Sequence, residues 1–262
     1  MVPSGFPDLR ADRPVCYRRG MRRPFPLSLA ATFKVAVLLV ALVALLLAGQ
    51  TLSMEGPKMA SPAAPDSPRA APVADFASEQ PASTVRQMAN WVLASDNHAG
   101  MPCVIVDKRN AKVFLFHPDG KLSGATPALM GSAVGDDSVA GIGEREMSAI
   151  LPHERTTPAG RFVSSPGVNM SGEDIIWVDY DAAVSMHRVR ANNKKERRLE
   201  RLASATPDDN RISFGCINLP ASFYDTVVKP ALGVNPGVVY VLPEMRSLES
   251  VFGSLVPESR PQ

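Results

Sequence analysis

From Val35 to Met54 the chain runs for 20 residues without a charge, most of them Val, Leu and Ala, and this run limits the fold more than any other feature. At about 1.5 Å of rise per residue, a helix of that length spans roughly 30 Å, the thickness of a bilayer's hydrocarbon core. The preceding residues carry seven basic side chains (Arg10, Arg13, Arg18, Arg19, Arg22, Arg23, Lys34) against two acidic ones (Asp8, Asp12). Basic residues ahead of an apolar run hold the amino terminus in the cytoplasm and send the downstream chain across the membrane. The expectation is a cytoplasmic basic segment at 1–34, a single transmembrane helix at 35–54 in the inner membrane, and the remainder in the periplasm. A cleaved signal peptide, leaving a soluble periplasmic protein, is the alternative, with Leu47-Ala48-Gly49-Gln50 as a weak small-x-small exit.

The 262 residues, 45% of them hydrophobic, suffice for one globular domain with appendages. The formal charge of +2 divides into +5 for residues 1–34 and therefore −3 for the rest. Such a balance argues against a nucleic-acid partner. The three cysteines, Cys16, Cys103 and Cys216, fall at no zinc-finger spacing and cannot make a disulfide framework. A Cys103–Cys216 pairing is conceivable in an oxidising compartment. His98, His117 and His153 occupy turn or loop contexts, and neither a metal nor an organic cofactor is expected.

Residues 55–83 are rich in Pro, Ala and Ser and lack an apolar period, so they read as a disordered tether. A short helix fits 84–95, where Val85, Met88, Ala89, Val92 and Leu93 share one face, giving a flanking element at 84–98. From residue 101 the period becomes that of strands. Runs at 103–106 and 112–116, with a turn between them and Pro118-Asp119-Gly120 after, suggest an antiparallel hairpin and meander. Further strands fit 175–180, 184–189 and 238–242. A charged helix fits 193–205 and a short one 220–228, with Pro220 suited to the first turn. The fold class is mainly β with short helices, the domain covering 99–245 and a tail 246–262.

The chemistry concentrates between Arg211 and Leu219. In Ser213-Phe214-Gly215-Cys216-Ile217-Asn218 the cysteine follows a glycine, which removes the side chain that would block close approach. It also lies just ahead of a helix start, where backbone N–H groups and the positive helix end favour negative charge. A free thiol near pKa 8.5 is only about 3% ionised at pH 7, so a cysteine nucleophile is ordinarily paired with a base. His187, on the apparent strand Ser185-Met186-His187-Arg188, is the candidate. Unaided, a lone buried cysteine is more often inert and a strand histidine more often merely packed.

The sequence Ser213-x-Gly215-Cys216-x-Asn218 with an upstream strand histidine resembles the active-site signature of the YkuD-type L,D-transpeptidases, cysteine enzymes that remodel peptidoglycan. Thr157-Pro158-x-Gly160-x-Phe162 resembles the family's Thr-Pro-x-Gly-x-Phe segment, and the likeness covers about residues 101–243. The resemblance implies a β-sandwich with Cys216 as nucleophile and His187 as general base. It further implies that the Arg188 backbone carbonyl orients the imidazole, that N–H groups of Gly215 and Cys216 form an oxyanion hole, and that Ser213, Phe214 and Asn218 contact substrate. The implied substrate is a tetrapeptide stem ending in D-Ala, transferred to an amine of another stem or of a protein; with water as acceptor the activity becomes that of an L,D-carboxypeptidase.

Three features depart from the family's pattern. Phe214 stands where many members have histidine, Arg188 where they have glycine, and the gap between His187 and Cys216 is lengthened by an insertion at 192–210. The insertion reads either as a lid or as a solvated surface helix. An inactive, peptidoglycan-binding relative and a membrane-tethered partner-binding domain are the competing classes.

Overall fold

The computed structural model describes residues 72–253. The expected cytoplasmic segment, the apolar run 35–54, Cys16 and most of the tether lie outside the described residues. Among the described residues no helix is long and apolar enough to cross a membrane.

The first described residues belong to the segment read as tether. Asp75 bridges to Lys121, and Phe76 is buried with its ring edge-on to Phe116 and Phe114, at 5.2 and 6.1 Å between centroids. One aromatic ring inserted between two others thus anchors a stretch whose Pro/Ala/Ser composition indicated disorder. Helix α1 (Ser83–Ala94) follows and buries Val85, Met88, Ala89 and Val92 of the expected stripe together with Trp91, while Leu93 is only half-buried.

The hairpin and meander expected at 103–127 form as β1 (Cys103–Asp107), β2 (Lys112–Phe116) and β3 (Leu122–Pro127), all antiparallel. A two-residue strand β4 (Met130–Gly131) comes next, then three 3-10 turns between 142 and 154. Strands β5 (Gly160–Val163), β6 (Ser165–Val168), β7 (Asp174–Asp179) and β8 (Val184–Arg188) continue the chain. The single charged helix expected at 193–205 is instead a 3-10 turn at Lys194–Glu196 and a separate helix α2 (Arg198–Ala203). Arg197 between them is left-handed, with φ +51°, and breaks the run. Strands β9 (Arg211–Ser213) and β10 (Ile217–Leu219) flank Cys216, and β11 (Val238–Val241) closes the fold.

The helical run after Pro220 extends to Leu232 rather than ending at 228. Its middle, Tyr224–Val228, is widened into a π-turn just before Pro230. Proline has no N–H and its ring crowds the carbonyl four residues back, so widening the preceding turn lets the helix continue through it. A last helix at Leu248–Phe252 packs on the domain, so the expected tail 246–262 begins with a helix.

Two sheets face each other, with strand orders β3-β2-β1-β11-β5 and β10-β8-β7-β6. Between them Val104, Val106, Leu115, Val239 and Val241 from the first meet Ile176, Val178, Val184, Met186, Ile217 and Leu219 from the second. A second core lies on the outer face of the five-stranded sheet, where Ile105, Phe114, Phe116 and Tyr240 pack beneath α1. Strand β1 is buried on both faces, which explains its unbroken apolar run. At about 25 cal/mol per Å² these two apolar layers supply the main driving force for the fold.

Candidate active site

Strand pairing decides which side chains meet. Strand β10 runs parallel to β8, with Ile217 opposite Met186 and Asn218 opposite His187. Because side chains alternate, Ile217 and Met186 point into the core, while Cys216, Asn218, Ser185 and His187 share the outer face. Strand β7 adds Trp177, opposite Ser185, and Ile175 to that face.

Cys216 is 6% exposed, packed with Ile175, Trp177 and Ala183 and flanked by Tyr180. Its Sγ lies 3.7 Å from Ser185 Oγ, which donates to it, and 3.7 Å from the Ala183 carbonyl oxygen. A nucleophilic role requires Cys216 as the free thiol. Cys103 is a free thiol in the outer core, which excludes the Cys103–Cys216 pairing, and burial pushes its pKa up to about 12.

His187 is buried two residues beyond Ser185 on the same strand face, an offset of about 6.6 Å at strand rise. Its Nδ1 sits 2.7 Å from the Arg188 carbonyl oxygen. A carbonyl can only accept, so Nδ1 carries the proton and Nε2 presents its lone pair. Burial pushes the imidazole pKa down to about 4; the Arg188 carbonyl opposes that shift, while Arg198 and Arg190 add to it. At neutral pH the ring is therefore an uncharged base.

The Arg188 side chain has a clear local role. Its side chain emerges on the face opposite His187, where it pairs with Asp174 (3.1 Å) and Asp225 (2.5 Å) and stacks 4.4 Å above the Tyr224 ring. These contacts tie β8 to β7 and to the helix at 221–228, and so hold the carbonyl that His187 uses.

The 213–216 loop is braced from within. Gly215 has φ +132°, a conformation that L side chains rarely adopt, and a Cβ there would meet the Thr156 carbonyl oxygen at 2.7 Å. Its N–H, expected to help form an oxyanion hole, donates to Ser213 Oγ at 3.1 Å. Ser213 and Asn218, expected to contact substrate, both make hydrogen bonds within the loop. Ser213 Oγ donates to the Cys216 carbonyl at 2.7 Å, and Asn218 Nδ2 donates to the same carbonyl at 3.1 Å. Both side chains are buried, and the backbone of Asn218 exchanges two hydrogen bonds with Leu129. Phe214 is half-buried beneath the Arg155 guanidinium, 4.0 Å from its ring centroid, a cation–π contact.

Several supporting groups had no signal in the sequence. Thr157 Oγ1 donates to the Gly215 carbonyl at 2.8 Å and accepts from Gly131 N–H at 2.9 Å, which gives the Thr-Pro segment a structural purpose. Behind it, the fully buried Lys108 ammonium donates to Thr157 O (2.9 Å), Gly135 O (2.6 Å) and Asp136 Oδ1 (2.8 Å). Burial alone would raise the Asp136 pKa, but Lys108 and the N–H groups of Glu244, Met245 and Arg246 hold it down at about 2. Ser185 was legible in principle, since residues i and i+2 of a strand share a face. Among the described residues no three His, Cys, Asp or Glu side chains converge as a metal-ligand set.

The chain matches no protein-family model and no curated protein. Two similar solved structures are the catalytic domain of an L,D-transpeptidase from E. faecium and an L,D-transpeptidase from Xylanimonas cellulosilytica. The first is 19% identical with a TM-score of 0.32, over 54% of this chain and 96% of that one. The second is 13% identical with a TM-score of 0.32, over 54% of this chain and 60% of that one. At such low scores the chemistry has to be argued from the side chains.

Proposed function

We propose that the domain is a cysteine acyltransferase, an L,D-transpeptidase that takes peptidoglycan tetrapeptide stems as donors through a Cys216 acyl-enzyme. The observation that carries this reading is the parallel pairing of the Cys216 segment with the His187 strand, which sets sulfur and a neutral imidazole of defined tautomer on one face. Arg188 contributes its backbone carbonyl, held in place by its side chain's ion pairs.

In the proposed cycle, His187 Nε2 takes the proton from reduced Cys216, and Ser185 Oγ–H helps to solvate the thiolate. The sulfur attacks the carbonyl carbon preceding the terminal D-Ala. This reading assigns the resulting oxyanion to the backbone N–H groups of Gly215 and Cys216, the Gly215 N–H exchanging Ser213 Oγ for it. The C–N bond breaks as the imidazolium protonates the leaving amine of D-Ala, and a thioester remains. An amine acceptor then attacks the thioester, passes its proton to His187 and releases the thiolate; water in that place gives the L,D-carboxypeptidase. Anchorage through residues 35–54, with the domain on the outer side of the inner membrane, would place it against this polymer.

Intact-mass measurement of the reduced protein with a carbapenem tests the assignment. The reading expects one covalent adduct in the wild type and none in Cys216→Ala; an adduct that survives Cys216→Ala, or a wild type that never acylates, overturns it. Altered muropeptides in cells carrying Cys216→Ala separate the enzyme from an inactive peptidoglycan-binding relative.

A further inference from the structure

The insertion between β8 and β9 reaches the site through Arg198. Arg198, the first residue of α2, has a side chain only 17% exposed, and its Nη1 donates to Asn218 Oδ1 at 2.7 Å. Asn218 in turn lies opposite His187 in the β8–β10 register and gives its Nδ2 to the Cys216 carbonyl. A carboxamide whose oxygen is engaged by a guanidinium can offer only its NH2 to that carbonyl, so the arginine fixes which way the amide points.

The turn that presents Arg198 is itself held in several places. Arg198 Nε pairs with Glu196, Arg201 Nε donates to the Glu196 carbonyl at 2.9 Å, and Arg201 Nη1 donates to the Asp209 carbonyl at 2.7 Å. Lys194, Lys195 and Leu199, by contrast, face solvent. The insertion is thus neither a free lid nor a purely solvated helix.

The charges that face His187 can be enumerated from each neighbouring element. Arg198, paired with Glu196, approaches from the insertion, and Arg190, 3.8 Å from Glu173, from the segment after β8. Strand β7 offers the apolar Ile175, and β10 offers Asn218 and Cys216. The Arg188 guanidinium is on the opposite face between Asp174 and Asp225. A cation set beside a buried imidazole opposes its protonation.

We propose that Arg198 is a positioning residue for the cysteine site, acting through Asn218 on the Cys216 carbonyl and through its charge on His187. This rests on the acyltransferase reading above. Loss of the hydrogen bond to Asn218 loosens the loop that carries the nucleophile, and loss of the charge makes His187 easier to protonate. The two effects are separable, because lysine keeps the charge without the planar fork and glutamine keeps a donor without the charge.

The test uses the full reduced chain and follows carbapenem acylation of Cys216 against pH in wild type, Arg198→Met, Arg198→Lys and Arg198→Gln. Lys195→Ala serves as a control that removes a charge elsewhere on the insertion. Arg198→Met is expected to acylate about tenfold more slowly at neutral pH, as misplaced nucleophiles do, and to lose activity at a higher pH on the acid side. Arg198→Lys should keep the wild-type acid limb, and Arg198→Gln should raise it. Wild-type rates and limbs in both Arg198→Met and Arg198→Gln overturn the inference alone. A wild type that never acylates overturns the acyltransferase reading. In that event, NMR titration of the His187 ring in wild type and Arg198→Gln still decides the electrostatic link, and coincident titrations overturn it.

Discussion

Cys103 and Cys216 are both more than nine-tenths buried, yet their surroundings differ in kind. Cys103 is wrapped in the hydrocarbon of the outer core, which disfavours its thiolate. Cys216 has a hydroxyl donor within reach and follows a residue that only glycine fills comfortably. Gly215→Ala must adopt φ near +132° and push its methyl against the Thr156 carbonyl. The strain is expected to cost about 1–3 kcal/mol, read as a lowered melting temperature, and to slow acylation well beyond what that loss explains. An unchanged acylation rate would show that the loop tolerates the methyl. At this scale the cysteine, the glycine and the histidine were legible, because their chemistry depends on residue type and local spacing. Arg198 was not, since its contact with Asn218 joins positions 20 residues apart and leaves no periodic trace.

The elements show the same division. The hairpin β1–β2 and helix α1 follow patterns of period two and 3.6, and both were readable. Strands β4, β9 and β10 are two or three residues long, too short for any alternation to register, although they carry the cysteine loop. What holds them is a buried charged cluster. Lys108 touches Thr157, which touches Gly215, while Arg211 at the head of β9 pairs with Glu244. Lys108→Met would leave the buried Asp136 carboxylate with only the more distant Arg246, 3.8 Å away, as its cation, a change expected to cost about 3 kcal/mol in urea or thermal unfolding. Equal stability of Lys108→Met and wild type would show the cluster to be dispensable. A lysine at the end of an apolar strand gave no hint of burial, because burial of a charge depends on partners brought from residues 135–136 and 157.

For the whole molecule, the two-layer arrangement followed from strand-rich patterning, but the pairings that close it did not. Strand β1 lies parallel to β11 across 135 residues of sequence, a pairing recognisable only in the folded chain. The buried His187 also leaves a mark on global stability. Its folded pKa of about 4 lies below the ordinary value of 6.5, so between those values the unfolded chain binds more protons than the native one. Stability is therefore fully present above about pH 6.5 and declines as pH falls toward 4, by about 3 kcal/mol from this residue. Thermal unfolding of wild type and His187→Gln across that range checks the point: the variant should show a shallower slope, and parallel slopes would refute the assignment. Below it, Asp136, held at about 2, contributes stability that is lost as pH falls from the ordinary carboxylate range through that value.

Residues 74 and 76 and the helix at Leu248–Phe252 all join the layer beneath α1, whereas Cys216 opens on the far side of the other sheet. Anything that grips the protein by the chain arriving at residue 72 consequently grips it from behind. A pull on the chain at residue 72 is therefore borne by the layer beneath α1, and the strands around Cys216 feel it only through the core between the two sheets.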